Sequence, residues 1–149
     1  MRAISLWQPW ATAVAVGSKH IETRHWATAY RGPLVIHAAK RWDREQREFA
    51  SVEMSLGRLP RRVPLGALVA VCRLADCIPT EDLMAARSAF GVTPIERIYG
   101  NYEPGRFGWL LEDIRALPEP IGFRGGQSFF TVPDEVFPAD FRPAPDTLL

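Results

Sequence analysis

The sequence predicts an α+β fold, a compact β-barrel of five or six short strands with flanking helices. Three observations carry that reading. Short apolar runs rich in β-branched residues recur along the chain, and Leu65 to Leu74 is the strongest of them. The helical stretches between these runs are short and irregular. No glycine-rich phosphate loop follows a strand, so a doubly wound parallel sheet fits poorly and a barrel decorated with helices fits better. A length of 149 residues favours one domain, spanning 1–149.

Taken in order, Ala3 to Leu6 is the first short strand. Trp7-Gln8-Pro9-Trp10 turns the chain, and Pro9 suits the first turn of a helix because its missing N–H costs nothing there. That helix runs from Trp10 to Val16 and stops at Gly17. Ile21 to Trp26 alternates apolar and polar side chains as a half-buried strand does. Arg31-Gly32-Pro33 is a turn, and Leu34 to Ala38 is a buried strand. Asp43 to Met54 reads as an exposed helix, followed by a basic loop from Arg58 to Pro64. After the strong strand, Thr80 is expected to cap a helix reaching about Phe90, with Glu81 and Asp82 in its first turn. Gly91 to Gly105 reads as one long surface loop, and loops of that length are often functional. Phe107 to Ile114 and Ser128 to Val132 are the last strands, separated by a turn at Arg124-Gly125-Gly126-Gln127. The proline-rich tail, and 139–149 in particular, is expected to pack loosely along the surface.

Bulk composition narrows the function classes. Net charge is +1, so no global field steers the protein to nucleic acid, and such a role needs a local basic patch. Of the 18 cationic residues only Lys19 and Lys40 are lysines. Cys72 and Cys77 lie five positions apart, an odd separation that would point them to opposite faces of one extended strand. Neither they nor the three histidines show metal-ligand spacing, so no metal or cofactor is expected. Two reduced thiols, no signal-peptide pattern and no apolar run near the roughly 20 residues of a membrane span point to a cytoplasmic protein off the membrane.

Reactive groups concentrate between Lys19 and Arg24. Strand parity puts Glu22 and Arg24 on one face and Ile21 and Thr23 on the other. Lys19, just past the helix stop, can bend toward them. Such a trio can hold a polar planar ligand by charge-assisted hydrogen bonds or carry acid–base work. The plainer alternative is a solvated strand edge with an ordinary ion pair. Trp7, Trp10, Trp26 and Tyr30 flank the segment and could stack on a base, although core packing is the commoner fate of a Trp. Gln8 offers a donor and an acceptor at a helix start, and His37 lies inside an apolar strand. Glu112 falls in the strand Trp109-Leu110-Leu111-Glu112, where a buried carboxylate would need a cation such as Lys19 or Arg24. Arg41, Arg44, Arg47, Arg58, Arg61 and Arg62 form a loose basic stretch able to meet phosphates.

The run Ser5 to Trp10, then Gly17-x-Lys19-x-x-Glu22-Thr23-Arg24, then Val35 to Ala39 resembles the ASCH domain family, a branch of the PUA-like β-barrels. Its signature is Gly-x-Lys-x-x-Glu-x-Arg. Gly66 to Val69, Trp109 to Glu112 and Arg124-Gly125-Gly126 extend the likeness, which resembles the subgroup of the endothelial-overexpressed lipopolysaccharide-associated factor. The resemblance implies a barrel with a cleft lined by the signature. It also implies RNA binding or, as in small N4-acylcytidine amidohydrolases, removal of an acyl group from the exocyclic amine of cytidine. Those enzymes use a lysine, a threonine three residues later and a distant glutamate. Lys19 matches the lysine, Glu22 stands at the threonine position with Thr23 next to it, and Glu112 matches the distant carboxylate by pattern.

Two functions follow as expectations. The first is a metal-independent amidohydrolase for N4-acylated cytosine or cytidine, with Lys19, Glu22, Thr23 and Glu112 catalytic and Trp7, Gln8, Arg24, Trp26 and His37 binding the substrate. The second is a module, or a ribonuclease, that takes single-stranded or modified RNA in the same cleft. A closed pocket sized for one pyrimidine would favour the first, an open basic groove the second.

Overall fold

A computed structural model describes residues 1–144. Its strands are β1 (Arg2–Leu6), β2 (Ile21–Arg24), β3 (Gly32–Ala38), β4 (Ala67–Pro79), β5 (Phe107–Gly122) and β6 (Phe130–Thr131). Its helices are α1 (Trp10–Ala15), α2 (Arg44–Ser55), α3 (Thr80–Ala85) and α4 (Pro94–Ile98). The six strands form one mixed sheet in the order β2-β5-β4-β3-β1-β6. Only β1 and β3 pair in parallel, because α1 and β2 carry the chain back between them. The architecture is α+β as expected, but the sheet is not closed into a barrel: β2 and β6 remain its edges.

Strand alternation gives the sheet two apolar faces. Ile4, Leu6, Leu34, Ile36, Leu74, Trp109 and Leu111 pack with Ala11 and Val14 of α1 on one. Ala3, Val35, Leu68 and Val71 pack with Val132, Phe137 and Phe141 on the other. Residues 134–141 are therefore not loose: two short 3-10 turns, Asp134–Val136 and Ala139–Phe141, drive Phe137 and Phe141 into this second core. Residues 145–149 of the expected tail lie outside the described residues.

Three further expectations are corrected. Cys72 and Cys77 both lie in β4 and both pack toward the α1 side, because the β4–β5 register slips between Leu74 and Asp76 and the extra residue flips strand parity. Thr80 is the first residue of α3 rather than its cap; its hydroxyl donates instead to the carbonyls of Glu103 and Arg106, and the helix ends at Ala85. The stretch 91–105 is not one loop, since α4 rises within it on a Thr93 cap that accepts the Glu96 N–H. Among the described residues no helix is long and apolar enough to cross a membrane.

Candidate functional site

The site begins where α1 stops. Gly17 adopts φ +83°, and the N–H groups of Gly17 and Ser18 close on the carbonyls of Val14 and Ala13, the Schellman pattern. This tight exit turns Lys19 inward, where it is fully buried. Its ammonium donates to the carbonyl of Ile21 and, at 3.0 Å, to that of Tyr99, and it lies 3.4 Å from Glu22 Oε1. All three donors are thereby aimed at acceptors, so Lys19 stands behind Glu22 and does not face the cleft. Glu22 Oε2 sits 3.4 Å from the Arg24 guanidinium, and the two share a face of β2 as the parity argument requires. Arg24 donates through Nη2 to the Ser5 carbonyl at 2.8 Å, while its buried Nε has no partner among the described residues.

These side chains open into a cavity of about 520 Å³ lined also by Trp7, Trp10, Thr23, Asn101 and Arg106. Thr23 Oγ1 accepts the Asn101 N–H at 2.8 Å. Next to it lies a second cavity of about 860 Å³, walled by Trp26, His37, Lys40, Arg124 and the Gly125-Gly126 turn. The two share Ser5, Trp7, Arg24 and His25, so together they make one extended groove with Arg24 at its waist. Arg24, Arg106, Lys40 and Arg124 line it against a single carboxylate, Glu22. Trp7 stands at the same waist, 49% exposed, with the Arg41 guanidinium 4.0 Å above its ring.

Other predicted site residues lie elsewhere or do other work. Gln8 is fully buried and spent on the chain: its amide donates to Thr12 Oγ1 and the Pro64 carbonyl and accepts the Thr12 N–H. Glu112 does not reach Lys19. Leu111 takes the core side of β5, so Glu112 faces water and pairs with Arg73. Trp26 is wedged edge-on between Trp109 and Phe129 and only borders the second cavity. His37 is buried, with Nδ1 2.8 Å from Ser5 Oγ and Nε2 2.8 Å from the Phe123 carbonyl, and its burial holds its pKa below the ordinary value. Half of the basic stretch in and around α2 is neutralised, because Arg41 pairs with Asp43, Arg44 with Glu48 and Arg58 with Glu53.

Reading the sequence missed the far wall of the groove. Asn101, Arg106 and the Tyr99 carbonyl are delivered by α4 and the loop after it. The signal was present: Thr93-Pro94-Ile95-Glu96 combines an N-cap residue, a proline at the first helical position and an acid three residues on. Glu96 is buried there and accepts the His20 and Ile21 N–H groups, clamping α4 to the start of β2. Lys40 stands out only as one of two lysines and Arg124 only within the Arg124-Gly125-Gly126 turn, and neither pattern assigns them to the groove. Among the described residues no group of three or more His, Cys, Asp or Glu side chains is placed to hold a metal ion.

Comparison with known proteins agrees with this architecture. The crystal structure of an ASCH protein from Zymomonas mobilis superposes with a TM-score of 0.54 at 20% identity, covering 91% of this chain and 89% of that one. A tyrosine-to-phenylalanine mutant of the same protein gives 0.55 at 18% identity, over 91% of each chain. A search of curated proteins gives no match. A model of the ASCH domain matches residues 4–119, the span that carries Lys19, Glu22, Arg24, Asn101 and Arg106, and the chain therefore belongs to the ASCH domain family.

Proposed function

We propose that the groove binds single-stranded RNA. The observation that carries this is local charge: in a chain of net charge +1, four cations and one carboxylate line a continuous groove. Single-strand sites combine a cationic track for phosphates with aromatic platforms for bases. Trp7, half-exposed at the waist, supplies the platform, and the Arg24 guanidinium, which lines both cavities, supplies positive charge for a phosphate or base oxygen. Two adjoining cavities of this size suit an extended ligand better than one nucleoside. The family is associated with RNA binding. A cytoplasmic location is part of this reading and is supported by the two free cysteines among the described residues. Titrating a short fluorescent pyrimidine oligoribonucleotide tests the reading. With about four phosphates met and a slope of roughly −0.7 per contact for single strands, log K should fall with log salt at a slope of about −2 to −3. Absence of binding at low salt, or binding indifferent to salt, would refute it.

A second reading, hydrolysis of N4-acylcytidine, is favoured by one feature: the Glu22 carboxylate reaches the groove beside Thr23, steadied by Lys19 and Arg24. In this reading Glu22 moves the proton between attacking water and leaving amine, Lys19 orients it, and Glu112 takes no part. Release of cytidine from N4-acetylcytidine, abolished in Glu22→Gln, is the expected result. No turnover by the unaltered protein would end it.

A further inference from the structure

A nucleophile and a base meet at the groove in a place that neither reading uses. Ser5 and His37 are register partners on the parallel strands β1 and β3, so their side chains emerge side by side from the same face. The Ser5 hydroxyl oxygen lies 2.8 Å from His37 Nδ1. His37 Nε2 lies 2.8 Å from the Phe123 carbonyl, an acceptor only, so Nε2 carries the ring hydrogen and Nδ1 offers its lone pair to the serine. This is the activated-nucleophile arrangement: hydroxyl, base, and a third group fixing the base's tautomer. Ser5 is partly exposed and lines both cavities. Arg24 is anchored on the Ser5 carbonyl and lines both cavities together with Ser5, so a guanidinium flanks the nucleophile. Gly125 lies flush against the pair: a Cβ there would come within 2.6 Å of Ser5 Oγ and 2.7 Å of His37 Nδ1.

We propose that Ser5 and His37 form a catalytic dyad for acyl transfer, hydrolysing an ester or amide whose acyl carbon enters the groove beside Arg24. Ser5 Oγ bonds to the acyl carbon as its proton passes to His37 Nδ1, and Arg24 stabilises the negative oxygen that develops. The bond to the leaving alcohol or amine then breaks, and that group departs with the proton from His37. Water, deprotonated by the same nitrogen, releases the carboxylic acid and restores the serine. The other titratable side chains lining the second cavity are Arg24, His25, Lys40 and Arg124, and none is acidic.

A fluorophosphonate probe tests the dyad without RNA, so its failure and that of the RNA reading are separable. The Ser5 oxygen displaces fluoride from phosphorus, and the adduct is read by peptide mass. Ser5 should be the labelled residue, at a rate still steady at the ordinary histidine value of 6.5 and falling only at more acid pH, because burial holds the His37 pKa below that value. Ser5→Ala should lose the label, His37→Gln should slow it by roughly 100-fold or more, and Gly125→Ala should slow it by pushing a methyl into the pair. Wild-type protein unlabelled at Ser5, labelling independent of pH, or a folded His37→Gln labelled as fast as wild type would each overturn the proposal. The first two outcomes need no variant to fold.

Discussion

Lys19 is the residue whose sequence signal and structural role diverge most. A scarce lysine inside a family signature invites a catalytic assignment, yet its ammonium is fully buried and satisfied by two carbonyls and Glu22. Its work is to hold a carboxylate at the groove wall. Removing the ammonium leaves the Ile21 and Tyr99 carbonyls without this donor and Glu22 with Arg24 alone, and costs about 3–5 kcal/mol. Lys19→Met should therefore lower unfolding free energy by about that amount in urea titration. A loss below about 1 kcal/mol would mean the ammonium is not carrying Glu22. Trp7 is the opposite case. Half-exposed, with the Arg41 guanidinium over its ring, it lies outside the buried core. Trp7→Ala should leave stability within about 0.5 kcal/mol of wild type. If a base stacks on the indole, the same change should weaken RNA binding by roughly 1–3 kcal/mol, read by the oligonucleotide titration. Equal affinity would remove Trp7 from the groove's ligand surface.

At the scale of elements, α4 decides whether the groove has a second wall. Glu96 accepts the His20 N–H at 2.9 Å and the Ile21 N–H at 3.1 Å, tying α4 to β2. Glu96→Ala leaves both donors without that partner, at about 1–3 kcal/mol for each one left unsatisfied. It should also weaken RNA binding, because Asn101 and Arg106 follow from α4. Loss of stability with undiminished affinity would show that α4 braces the fold without shaping the groove. The same element marks the limit of what the sequence discloses. Continuous apolar runs exposed β1, β3 and the first half of β4, and alternation exposed β2, because both patterns are local properties of the sequence. Gly17 exposed the end of α1, since a left-handed residue after a short apolar helix has few other uses. Glu112 was misplaced because periodicity tells which residues share a face, not which face is the core. Cys77 was misplaced because the register slip that flips it is set by the partner strand. Within the groove, Glu22 and Arg24 were legible from β2 alone, while Arg106 and Asn101 arrive from 77 or more positions away and needed the fold.

The whole molecule stores its pH response in groups that join its layers. Glu53 on α2 accepts from Arg58 and from the Tyr99 hydroxyl, and the Tyr99 carbonyl in turn takes Lys19, so a polar spine runs from α2 to the groove. The Arg58 guanidinium, first, and the Tyr99 hydroxyl hold the Glu53 carboxyl below its ordinary 4.5, against burial. A depressed carboxylate adds stability that is complete above that value and is lost as pH falls through the folded one. Burial likewise holds His37 below 6.5, so the unfolded chain takes up this proton first and stability begins to fall near that pH. On the alkaline side burial pushes the Cys72 thiol and the Tyr99 phenol up to about 12, from 9.0 and 10.0. Raised acids of this kind contribute stability that is complete below the unfolded values and fades as pH climbs toward the folded ones. The thermal midpoint should therefore be flat between about pH 7 and 9. It should decline gently on acidification from 6.5, then steeply below 4.5, and decline again above 9 to 10. His37→Gln should erase the first acidic shoulder and leave the second. Thermal unfolding followed by circular dichroism across this range decides it: a shoulder that survives His37→Gln would assign the first proton to another group.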